Sequence, residues 1–216
     1  MLGLTLASGG RDPTILCLGA HCDDIEIGCG ATLRVLRQRY PRSPVHWVVL
    51  SSTPEREAEA RRSALRWLPG PAPEVSVFGF RDGYLPYQPV PVKEAFASLA
   101  AAVSPDLVLT HAGHDRHQDH RFVSELTWNH FRAQLVLEYE IPKYDGDLGQ
   151  PNFFVPVTRE DCERKASDIL EAFASQRAKD WLSTDTVLAL ARLRGVECRS
   201  PTGYAEAFFV RKAVLE

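Results

Sequence analysis

Residues 14–20, Thr-Ile-Leu-Cys-Leu-Gly-Ala, form a β-prone and mostly apolar run that ends abruptly in His21-Cys22-Asp23-Asp24-Ile25-Glu26-Ile27-Gly28-Cys29-Gly30. An amphipathic segment follows over 28–40, with Leu33, Val35 and Leu36 set against Arg34, Arg37 and Arg39, and Pro41 stops it. A buried strand that feeds a helix through a polar turn belongs in a parallel sheet. Its functional groups then lie at the carboxyl end of the strand, where open α/β sheets keep their sites. One imidazole and two carboxylates within four positions suit a divalent metal.

Those groups make half a site, because a catalytic zinc takes three protein ligands and keeps one position open. A second strand-like run, 106–110, is followed by His111-Ala112-Gly113-His114-Asp115-Arg116-His117-Gln118-Asp119-His120, which holds four of the seven histidines. Two such segments, each just past an apolar run, are expected to meet at one sheet edge.

The rest of the chain supports that geometry. Residues 45–51 and 75–80 read as strands, and 54–68 and 91–103 as helices, the first opening on Pro54. The order βαβαβαβ predicts a parallel sheet with helices on both faces. Beyond it, the pattern predicts a helix over 119–131, a strand over 135–139, helices over 158–173 and 184–193, and a strand over 205–210. Thr158 is the expected N-cap of the first of these two helices. Residues 142–157, with prolines, glycines and interspersed aromatics, read as an irregular lid.

At 216 residues the chain fits one α/β domain, read as 1–216, and no interdomain linker interrupts it. A net charge of −3 offers no footprint for nucleic acid. No apolar run approaches the roughly 18 residues of a membrane span. The first residues lack the basic and apolar regions of a secretory signal, which predicts a cytoplasmic protein. Five cysteines without a Cys-x-x-Cys pair read as reduced, with Cys17 and Cys29 as packing residues. Gly28-Cys29-Gly30 falls short of a dinucleotide fingerprint, since Leu33 takes the place of the third small residue. These glycines are expected to bring a helix N-terminus close to the site.

Together, His21-Cys22-Asp23-Asp24 and His117-Gln118-Asp119-His120 resemble the two signature motifs of the PIG-L/LmbE-like family of metal-dependent N-deacetylases. The likeness extends to Gly28-Cys29-Gly30 and to the element order, more loosely in the C-terminal third. It implies a Rossmann-like three-layer α/β sandwich and an N-deacetylase that removes acetyl from an amino sugar such as N-acetylglucosamine, or from a sugar conjugate. It further implies a Zn2+ cofactor, or another divalent metal, held by His21, Asp24 and His120. Asp23 would be the general base toward the zinc-bound water. His117 would stabilise the oxyanion as imidazolium and protonate the amine, with Asp119 holding its ring. Arg56 and Asp82 match positions that contact the sugar. The resemblance also allows for homo-oligomers.

Cys22 departs from the family's usual proline, which loosens the ligand loop and sets a thiolate donor beside the metal. His111 and His114 read as wall or loop residues, and His46 and His130 as structural ones. Glu26 reads as a helix-start charge. Two other functions fit the same residues: a metal-dependent phosphoesterase, and a non-catalytic metal-bearing protein that binds sugar.

Overall fold

The computed structural model describes residues 3–6, 10–176, 179 and 181–214. Among these described residues, seven strands form one sheet: β1 (Ile15–Gly19), β2 (Val45–Ser51), β3 (Glu74–Phe80), β4 (Leu107–His111), β5 (Leu135–Tyr139), β6 (Phe153–Val157) and β7 (Tyr204–Phe209). Their spatial order is β3-β2-β1-β4-β5-β7-β6. The first five are parallel, and β7 runs antiparallel to both β5 and β6. The helices are α1 (Asp24–Arg39), α2 (Pro54–Trp67), α3 (Pro89–Ala102), α4 (Gln118–His130), α5 (Arg159–Ala172) and α6 (Thr184–Glu197).

Alternation along β1 builds the three expected layers. Ile15 and Cys17 enter an apolar core with Leu33, Trp47, Trp67 and Ile169, on the side of α1, α2 and α5. Leu16 and Leu18 enter another with Val92, Phe96 and Val123, on the side of α3 and α4. The chain runs outward from β1 through β2 to β3, then returns to lay β4 against the other side of β1. Strand order therefore reverses between β1 and β4, and such a switch point opens a crevice at the carboxyl ends of the strands. The two polar motifs follow those two strands.

Three expectations need correction. Helix α1 begins at Asp24, four residues before the expected Gly28, and its backbone leaves helical geometry at Cys29 (φ −144, ψ 18). The groups freed by that break are met from the far end of the chain. Glu206 on β7 accepts from Ala31 N at 3.2 Å and Thr32 N at 2.6 Å, while Lys165 on α5 donates to Ile27 O and to Glu206 Oε1. A capping carboxylate thus restarts the helix, as one does at an ordinary N-terminus.

Second, the neighbouring glycines serve packing. A Cβ on Gly28 would lie 2.2 Å from the Tyr139 ring, and one on Gly30 would lie 2.5 Å from Trp67. Tyr139 is buried and tied to Leu18 O by its hydroxyl at 2.6 Å, so it has nowhere to retreat. Gly28→Ala is expected to cost about 1–3 kcal/mol by overpacking, read as a lowered midpoint in chemical denaturation; an unchanged midpoint would refute this packing role.

Third, residues 153–157 of the expected lid form β6, so only 142–152 is irregular. Pro156 is tolerated because β6 is an edge strand, where a missing N–H breaks no ladder. A 3₁₀ turn at Leu85–Tyr87, not read from the sequence, precedes α3. Thr158 caps α5 as expected, within a capping box closed by Asp161. Among the described residues, no helix is long and apolar enough to cross a membrane.

Candidate metal centre

At the switch point, His21 and Asp24 from the β1–α1 turn meet His120 from the first turn of α4, and all three are buried. His21 Nδ1 lies 3.1 Å from His120 Nε2. Asp24 sets one carboxylate oxygen 3.2 Å from His21 Nδ1 and the other 3.5 Å from His120 Nε2. Lone pairs cannot face one another at such distances without a proton or a cation between them. Ligands about 2.0–2.1 Å from a tetrahedral zinc stand about 3.3 Å apart, so the spacing fits a metal bound by these three residues.

The donors near the crevice form three overlapping groups: His21, His117 and His120; Asp24, His111 and His120; and His21, Asp82 and Asp119. Existing hydrogen bonds narrow the choice. His117 Nδ1 accepts from Asp119 N at 3.2 Å, and His111 Nε2 accepts from Ala20 N at 3.0 Å. His111 is thus a wall residue: it ends β4 and stacks on His120 with ring centroids 3.9 Å apart. His114 also lines the wall, edge-on to Phe209. His46 pairs with Glu74, and His130 Nδ1 meets Leu126 O.

Each imidazole of the triad is backed by carboxylate on its far side. His120 Nδ1 lies 2.9 Å from Asp115 Oδ2, which turns Nε2 toward His21. His21 Nε2 lies 3.1 Å from Asp82 Oδ1 and 3.4 Å from Asp119 Oδ2, but neither contact has hydrogen-bond alignment. Burial opposes a charge on His21, yet Asp24, Asp119 and Asp82 outweigh it and push its pKa well above the usual imidazole value. Burial likewise opposes ionisation of Asp24, and His120, His111 and His21 overcome it. The cluster stabilises positive charge at its centre, which a proton or a metal can supply.

Asp23, buried beside Asp24, accepts from Arg56 Nη2 at its Oδ1 over 2.8 Å. Arg56 also approaches Asp82 at 3.5 Å, so Arg56 and Asp82 both line the same edge as the triad. The ring of His117 lies 4.5 Å from that of His120 and 4.8 Å from that of His21. Burial, then His120 and His21, hold its pKa below the usual imidazole value, which favours a neutral donor over the expected imidazolium.

The place of Asp119 also differs from expectation. Its carboxylate accepts from Gly83 N at 2.7 Å and Leu85 N at 3.1 Å, and only its backbone N–H holds the His117 ring. Cys22 turns its thiol to Ser51 O, and burial pushes that thiol up to about 12, so it adds no thiolate to the site. Glu26 is buried against Ser63 Oγ, and burial raises its carboxyl to about 8, so it is no helix-start charge.

Residues 16–131, from β1 to just past α4, match the PIG-L family model, described as GlcNAc-PI de-N-acetylase. The chain belongs to the PIG-L family. No curated protein matches it. Among solved structures, this PIG-L chain is similar to 4-carboxy-2-hydroxymuconate hydratase from Pseudomonas putida, with TM-score 0.75 and 18% identity, covering 94% of this chain and 98% of that one. A conserved protein from Thermus thermophilus aligns with TM-score 0.73 and 21% identity, covering 94% of this chain and 97% of that one. N,N'-diacetylchitobiose deacetylase from Pyrococcus horikoshii aligns with TM-score 0.70 and 20% identity, covering 92% of this chain and 83% of that one. At these identities the likeness establishes the fold, and a hydratase and a deacetylase share it.

Sequence reasoning misses Asp115, although its place in the histidine-rich segment, five residues before His120, is an available signal.

Proposed function

We propose that the chain is a metal-dependent hydrolase of linear amide C–N bonds, an N-deacetylase acting on an N-acetylated amino sugar or sugar conjugate. The observation that carries this reading is the convergence of His21, Asp24 and His120 beside a second carboxylate, Asp23, in a chain of the PIG-L family. His21 Nδ1, one Asp24 oxygen and His120 Nε2 would hold the ion, Zn2+ or another divalent metal. Bound there, it would supply Lewis acidity that polarises the amide carbonyl and acidifies water.

The chain's own residues supply the proton transfers. Asp23, its Oδ1 engaged by Arg56, takes the proton of the attacking water at Oδ2. His117, with Nδ1 occupied by Asp119 N, carries its proton on Nε2, where it can hydrogen-bond the oxyanion, while the proton that Asp23 took from water passes to the departing amine. Asp119 serves by position, its backbone on His117 and its carboxylate on His21 and the 83–85 turn. Arg56 and Asp82 face the crevice where a sugar hydroxyl would sit. One sheet carries both motifs and the C-terminal strands, which supports reading 1–216 as a single domain.

A phosphoesterase reading draws on the third donor group, His21, Asp82 and Asp119, because two-metal sites need a second set of ligands beside the first. Metal analysis joined to an acetate-release screen over N-acetylated sugars, nucleotide sugars and glycolipid fragments separates the readings. The deacetylase reading expects one tightly bound metal per chain and acetate release that a chelator abolishes and zinc restores. Two metals with phosphate release would replace it with phosphoester chemistry. Metal and sugar binding without turnover would leave a non-catalytic protein.

A further inference from the structure

A histidine that ligates a metal works through the nitrogen it offers and through whatever holds its other nitrogen, and the outer partner fixes the tautomer. For His120 that partner is Asp115, which is itself buried at 4% exposure. A buried carboxylate needs a counter-charge to stay in place. Lys143 supplies it, with Nζ 3.0 Å from Asp115 Oδ1, the oxygen that also accepts from His117 N at 2.7 Å.

Lys143 belongs to the irregular stretch 142–152, and it is held there. Its ammonium lies 2.6 Å from Asp147 Oδ2, which also accepts from Arg116 N at 2.7 Å. The stretch is anchored again where Arg194 Nη2 donates to Gly149 O at 3.1 Å. A continuous polar path therefore runs from Asp147 through Lys143 and Asp115 to His120.

We propose that Lys143 is a positioning residue of the metal centre, keeping Asp115 turned to His120 Nδ1 so that Nε2 presents its lone pair to the ion. The inference rests on the metal-centre reading above. Without the ammonium, His117 N alone holds Asp115 Oδ1, and the buried carboxylate loses the counter-charge that keeps it turned to His120. The His120 ring can then carry its proton on Nε2, a tautomer with no lone pair to give.

The test uses the full chain, with Zn2+ affinity measured by chelator competition and the His120 tautomer of the metal-free protein read by 15N NMR. Lys143→Met is expected to weaken zinc binding about 10- to 100-fold and to populate the Nε2–H tautomer. Lys143→Arg, which keeps the charge, should recover most of the affinity. If Lys143→Met does not fold, Asp147→Asn removes the charge of the lysine's nearest other acidic partner and should give a smaller loss in the same direction. Unchanged affinity and tautomer in folded Lys143→Met, or in Asp147→Asn where that variant stands in, would overturn the proposal. Because zinc affinity is independent of which bond is hydrolysed, this result can fail while deacetylation stands. A wild-type chain that binds no metal would remove the metal-centre reading itself.

Discussion

Asp23→Asn should lower acetate release about a hundred- to ten-thousand-fold, the range general-base removal costs, while zinc content stays at the wild-type level. Asparagine keeps the volume of the side chain and can still accept from Arg56, so the buried contact at Oδ1 survives. What disappears is a carboxylate able to take a proton beside the triad. Asp24, the next residue, already directs its oxygens at His21 and His120 and cannot stand in without releasing them. Turnover and metal content measured on the same preparation decide the matter. A variant that loses zinc and activity together would make Asp23 a ligand-loop residue, and one with unchanged rate would place the base elsewhere.

The second large effect concerns stability. Lys165→Met should cost about 3–5 kcal/mol, because it leaves the buried Glu206 without its cationic partner. The same change strips the Ile27 carbonyl of its donor at the break in α1. Adding Glu206→Gln to that variant should restore part of the loss, since an amide oxygen can still accept from Ala31 or Thr32 and no charge is stranded. Denaturant unfolding of the single and double variants measures both steps. If Lys165→Met unfolds at the wild-type midpoint, the pair is solvated and the helix break is held by other contacts.

The strand-and-helix order through β5 is legible because buried parallel strands are continuous apolar runs and their helices keep a polar face. The meeting of the two motifs follows from topology, since β1 and β4 are the strands on either side of the reversal. β6 is hidden because Pro156 and the prolines before it argue against a strand, and that argument fails at a sheet edge. The start of α1 is hidden because Asp23 and Asp24 look like a turn, and the break at Cys29 is stabilised by residues in α5 and β7 that no local window contains. At the site, His21, Asp24 and His120 announce themselves by residue type. Lys143 carries no such mark: only the folded path of 142–152 brings it to Asp115. The direction of the Asp119 carboxylate escapes sequence reasoning for a related reason, as the N–H groups it satisfies come from the 83–85 turn rather than from its own helix.

Helix α1 leaves the ribosome well before β7, yet the donors at its interrupted turn are matched by Glu206, 175 positions after Ala31. Contacts so distant in sequence form late. The segment that bears Asp24 therefore cannot reach its final backbone pairing until translation has passed β7, and the nascent chain must carry an unfinished helix α1 until then.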